Sequence, residues 1–152
     1  MVETICRGET ATLVANGGTT YVWNNGVTTQ QLSVSPNNTT TYTVTVSSVA
    51  GCTATASGIA RVNALPNIMP VQDQAICNGA SATLSTMAFG GGTVTYTWST
   101  DEYTQTITVS PSTTTTYTVS VVNTSNCIAT DEAVVTIDNS QVTVSPTDTA
   151  LS

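Results

Sequence analysis

Apolar residues are spread along the chain in short runs that alternate with polar ones, at a period of two. Tyr21 and Trp23, Leu32 and Val34, then Tyr42, Val44 and Val46, then Ala60 and Val62 each fall on one face of a run, separated mostly by Ser and Thr. In an extended backbone, successive side chains point to opposite faces, so each run reads as a half-buried strand. Threonine supports this, because its branched Cβ favours extended backbone and its hydroxyl keeps an exposed face soluble without charge. Asn16-Gly17-Gly18 and Asn24-Asn25-Gly26 supply turn chemistry, and Pro36 and Pro111 end strands by removing a ladder donor. Short strands and frequent turns predict an all-β, immunoglobulin-like sandwich.

The pattern occurs twice. Ile5-Cys6-Arg7-Gly8 through Ala11-Thr12-Leu13 returns as Ile76-Cys77-Asn78-Gly79 through Ala82-Thr83-Leu84, an offset of 71 residues. Tyr21-Val22-Trp23 returns as Tyr96-Thr97-Trp98, and Thr40-Thr41-Tyr42-Thr43-Val44 as Thr115-Thr116-Tyr117-Thr118-Val119, at an offset of 75. A four-residue insertion around Met87–Gly92 accounts for the change. The expected organisation is a module over residues 1–63, a stiff linker over 64–70 containing Pro66 and Pro70, and a second module over 71–139. Residues 140–152 form a tail in which Val142 and Val144 alternate. It reads as the leading strand of a following module, or as a donor strand that adds to the sheet of another chain. With only five residues before Cys6, the first module is expected to lack its first strand.

Each repeat carries two cysteines, Cys6 with Cys52 and Cys77 with Cys127. Counting one reversal for each predicted strand after Cys6 brings the hairpin holding Cys52 back to the end where the count began. The expected disulfides are therefore Cys6–Cys52 and Cys77–Cys127, each within a module and worth roughly 3–4 kcal/mol by loop closure. An oxidising compartment follows. Trp23, Trp98, Tyr42 and Tyr117 share the apolar strand faces and are assigned to the core.

Composition narrows the functions. Charged residues are 7% of the chain, the net charge is −7, and Arg7 and Arg61 are the two cationic side chains. Such a surface cannot neutralise phosphates, which argues against nucleic acid as a partner, and no apolar run is long enough for direct membrane insertion by a helix. Without histidine or lysine, and with cysteines paired, the chain has no general base or nucleophile of the usual kinds and is not expected to be an enzyme. No cofactor is expected, with one candidate exception. Asp73, Asp101, Glu102, Asp131 and Glu132 all belong to the second module and are candidates for a weak Ca²⁺ site at the module junction. Phe89 in the inserted loop and Tyr103 in a turn have no aromatic counterpart in the first module and are candidate contacts for a glycan or protein.

The combination I-C-x-G-x-x-A-T-L, Y-x-W, (I/L)-x-V-S-P and T-T-T-Y-T-V-x-V, closing on a cysteine before the last strand, resembles the immunoglobulin-like repeats of large secreted surface proteins of Bacteroidota. That resemblance covers residues 5–63 and 76–137 and implies a non-catalytic stalk, adhesin or fibre segment outside the cell. Its partners would be neighbouring modules of the same or identical chains. The alternative is a module that binds glycan or protein through loops of the second repeat.

Overall fold

The computed structural model describes residues 1–142, and every regular element in that span is a strand. The first half contributes β1 (Val2–Cys6), β2 (Ala11–Val14), β3 (Thr20–Trp23), β4 (Gln31–Val34), β5 (Thr40–Ser47) and β6 (Thr53–Asn63). They form a four-stranded sheet in the order β1-β6-β5-β3 and a pair β2-β4. Between the halves lies the short β7 (Asn67–Ile68). The second half repeats the scheme with β8 (Gln74–Cys77), β9 (Ala82–Ser85), β11 (Val94–Trp98), β12 (Thr106–Val109), β13 (Thr115–Asn123) and β14 (Ile128–Asp138), plus the two-residue β10 (Ala88–Phe89). Its sheets are β11-β13-β14-β8 and β12-β9. A three-stranded antiparallel core sheet extended by a parallel first strand, facing a smaller antiparallel pair, is an immunoglobulin-like arrangement.

Alternation fills the space between the sheets. Leu13, Trp23, Leu32, Val44 and Val46 form one buried cluster, Ile5, Ala11 and Ala60 a smaller one, and Leu84, Trp98, Ile107, Val119, Val121, Ala133 and Val135 a third. The repeat extends to hydrogen bonds: Thr39 Oγ1 accepts the Val62 N–H and Thr114 Oγ1 accepts the Ile137 N–H, at 3.0 and 3.1 Å.

Two expectations change. The first half does not lack its first strand: β1 runs parallel to β6, from Val2 opposite Ile59 to Cys6 opposite Asn63, as β8 does to β14 from Gln74 opposite Val135 to Cys77 opposite Asp138. Five residues suffice because this strand needs no more than that length beside β6. The edge that a donor strand was to fill is therefore occupied, and residues 143–152 of the expected tail strand lie outside the described residues.

The reversal count also fails. β3 and β5 are antiparallel, as are β5 and β6, so β3 runs in the direction of β6 and β1. The tight turn after β1, closed by Glu9 N–H to Cys6 C=O at 3.0 Å, sends β2 back, and β4 is antiparallel to β2. Thus β3 and β4 run the same way, and the irregular stretch 24–30 carries the chain back the full height of the sandwich. One uncounted traverse moves the β5–β6 hairpin to the end opposite Cys6.

The segment 64–70 is held against the second half. β7 pairs with β10, with Ala88 opposite Ile68 and Phe89 opposite Asn67. The Met69 N–H donates to Met87 C=O at 2.8 Å, and the Thr86 hydroxyl, itself buried, donates to Met69 C=O at 2.6 Å. Pro66 is buried as well. The four-residue insertion thus supplies the strand that straps the connecting segment onto the second half.

Candidate functional site: the disulfide joint between the halves

The disulfide runs from Cys6 to Cys127, with Cα atoms 5.5 Å apart and 121 residues between them in sequence. This corrects both expected pairings. Cys52 stands before the first residue of β6 and Cys6 is opposite its last, Asn63. Eleven residues at ~3.3 Å each put about 35 Å between those ends, against the ~7 Å of Cα separation that a disulfide spans. β14, also eleven residues long, separates Cys127 from the level of Cys77 in the same way. Cys52 and Cys77 are free and exposed.

Local structure aims the bonded pair. β1 ends at Cys6 beside the end of β6, where the Arg7 N–H continues the ladder to Asn63 C=O at 2.9 Å and Gly8 takes the left-handed φ of 94° that turns the chain away. The Glu9 carboxylate accepts the Cys6 N–H at 2.8 Å. On the other side, Cys127 lies in the β13–β14 hairpin, closed by Asn123 N–H to Cys127 C=O at 3.1 Å and Asn126 N–H to Asn123 C=O at 3.0 Å, with Asn126 at φ 59°. Cys127 is fully buried.

Asn123 holds this end of the joint and was not foreseen from sequence. It is a buried polar side chain whose Oδ1 accepts the N–H groups of Ser125 and Cys127, both at 3.0 Å, while Nδ2 donates to Ala64 C=O at 3.0 Å. One amide thereby fixes the hairpin and ties it to the connecting segment. A cleft beside the disulfide is lined by Arg7, Glu9, Leu65, Asn126 and Ile128, so both halves and the segment between them meet there.

The remaining candidates divide. Trp23 and Trp98 are buried, each with its indole N–H donating to a carbonyl, Thr29 at 2.9 Å and Thr104 at 2.8 Å. Tyr117 is buried, and Tyr42 is half-buried against the first-half clusters. Phe89 and Tyr103 are exposed, 50% and 71%, but sit on separate elements, Phe89 in β10 and Tyr103 in the β11–β12 connection.

The five carboxylates do not converge. Among the described residues no three acidic, cysteine or histidine side chains gather to hold a metal ion. Asp73 accepts the Val134 N–H at 2.8 Å and Asp131 the Val71 N–H at 2.7 Å, so these two pin the leading segment of the second half to β14. Glu102 accepts the Thr100 hydroxyl in a turn where Asp101 has φ 64°, and Glu132 lies on β14 opposite Thr118. The Asp138 carboxyl, at the end of β14, is held below the usual carboxylate range by the hydroxyl and backbone N–H of Ser140.

No known family model matches the chain, and no curated protein matches it. Similar solved structures include Sidekick-1 immunoglobulin domains 1–4, at 15% identity and TM-score 0.42 over 90% of this chain and 48% of that one, so this chain spans about half its length. Immunoglobulin domains 1 and 2 of DIP-gamma match at 14% identity and TM-score 0.43, over 91% of this chain and 94% of that one. The titin domains Z1Z2, in complex with telethonin, match at 17% identity and TM-score 0.37, over 91% and 93%.

Proposed function

We propose that the chain is a non-catalytic structural segment, two immunoglobulin-like modules of an extracellular stalk or fibre, whose task is to transmit load between its ends with little lengthening. The observation that carries this reading is the Cys6–Cys127 bond. A pull applied at the two ends enters through β1, reaches Cys6, crosses to Cys127 and leaves through β14. The residues between those cysteines form a covalently closed loop that tension does not enter. The same bond restricts the unfolded chain, and closing a 121-residue loop is worth about 5 kcal/mol in the chain-entropy account. A disulfide of this kind persists in an oxidising compartment, which fits a place outside the cell, and the near absence of cationic side chains fits neither nucleic acid nor an anionic lipid surface. The resemblance to the repeats of secreted Bacteroidota surface proteins points the same way.

Single-molecule extension tests this directly. The oxidised chain should lengthen only by what β1 and the residues beyond Cys127 release. Cys6→Ser should add about 400 Å of contour, the 121-residue span at ~3.3 Å per residue. Equal extension of the two proteins overturns the reading.

A further inference from the structure

The free cysteines are built like the bonded ones. Cys52 closes the β5–β6 hairpin as Cys127 closes its own: Ser48 N–H donates to Cys52 C=O at 2.8 Å and Gly51 N–H to Ser48 C=O at 3.0 Å, with Gly51 at the left-handed φ of 84° where Asn126 has 59°. Ser48 Oγ accepts the Cys52 N–H at 3.2 Å, the role Asn123 Oδ1 has for Cys127. Cys77 ends β8 as Cys6 ends β1. The Ala80 N–H donates to Cys77 C=O at 3.0 Å, and Gly79 turns the chain at φ 86°. Each free thiol is thus one half of the joint already made, set on the same backbone. They lie at opposite poles, Cys52 on the end of the first half away from Cys6 and Cys77 on the end of the second half away from Cys127.

We infer that Cys77 and Cys52 are the open halves of a repeating joint, through which copies of this chain link head to tail by a Cys77–Cys52 disulfide. Both thiols are exposed, as the chemistry requires. The thiolate of Cys77 attacks a small-molecule disulfide such as oxidised glutathione, forming a mixed disulfide and releasing one thiolate. The thiolate of Cys52 on the next copy then attacks the Cys77 sulfur and expels the second. Two protein thiols give up two protons and two electrons, and the oxidant leaves as two thiols. Charge favours this order of partners. Residues 1–63 carry Glu3, Glu9, Arg7 and Arg61, which cancel, whereas residues 71–139 carry six carboxylates and no cation. A Cys77–Cys77 joint would bring two acidic halves together, and a Cys77–Cys52 joint brings an acidic half to a neutral one.

The inference rests on the proposed joint between the halves, and one experiment separates the two. The full chain, at high concentration, is incubated with a glutathione redox buffer, resolved without reduction, and its disulfide-linked peptides are mapped by mass spectrometry. Monomer should retain Cys6–Cys127. The wild type should form a ladder in which Cys52–Cys77 links predominate over the about half that random pairing gives. Cys52→Ser and Cys77→Ser should each stop at dimers, and an equal mixture of the two variants should give a dimer joined Cys77 to Cys52. Random linkage, or monomer alone with Cys6–Cys127 intact, overturns the head-to-tail joint and leaves the load-bearing reading standing. Loss of Cys6–Cys127 from the monomer overturns both.

Discussion

Gly58 and Ala133 occupy equivalent places, opposite Tyr42 and Tyr117, and the difference between them is a test of packing at a single carbon. A Cβ on Gly58 would stand 3.1 Å from Leu13 Cδ1 and 3.3 Å from Cδ2, so the leucine tip must shift by a few tenths of an ångström. It has room, because Leu13, Trp23, Val44 and Gly58 line a cleft of about 170 Å³. In the second half, Ala133 and Leu84 coexist with neither exposed. Gly58→Ala is therefore expected to stabilise by about 0.5–1 kcal/mol, chiefly by restricting the unfolded chain, and to raise Tm by about 2–5 °C in calorimetry. A fall in Tm would mean that Leu13 cannot move. At this scale the sequence was a good guide. Trp23, Trp98 and Tyr117 are buried as strand alternation requires, because which face a side chain takes depends only on its immediate neighbours. Asn123 was missed for the complementary reason: a buried amide is recognisable only by its partners, and Ala64 is 59 residues away.

Elements are where sequence reading went astray, and the cause is one traverse. The alternation that marks strands is absent from the polar, turn-rich stretch 24–30, yet that stretch crosses the sandwich as surely as a strand would. The parallel pairing of β1 with β6 is likewise non-local, and no pattern within Val2–Cys6 announces it. Together these two facts decide which cysteines meet. The β13–β14 hairpin offers the sharpest element-level test. Asn123→Ala removes three hydrogen bonds and leaves the buried Cys127 N–H unpaired, an expected loss of about 2–3 kcal/mol in urea unfolding. Asn123→Ser imitates the first half, where Ser48 caps the Cys52 N–H, and should recover roughly half of that loss by restoring the hairpin cap but not the tie to Ala64. If serine recovers nothing, the contact to the connecting segment dominates and the hairpin cap is incidental.

Across the whole molecule, charge and covalent connection point along the same axis. The chain is polar in the electrical sense, a neutral first half followed by one with six carboxylates. Asp138, whose carboxyl Ser140 keeps ionised to lower pH than usual, is paired with Cys77 across the β8–β14 ladder, so charge stands beside the free thiol of the acidic pole. Two acidic poles brought together oppose each other with roughly 0.5 kcal/mol for each carboxylate pair ~8 Å apart in water, and one or two such pairs reduce their reaction by about two- to fivefold. Salt removes this bias, since the screening length falls from ~30 Å at 0.01 M to ~3 Å at 1 M. In mixtures of thiol-bearing chains, the share of Cys77–Cys77 links should therefore rise about threefold between those salt concentrations. The rate of Cys52–Cys77 linkage, which joins an acidic pole to a neutral one, should change by less than about twofold. A Cys77–Cys77 share that ignores salt would show that charge has no part in selecting the partner, and that the order of copies rests on the shape of the two turns alone.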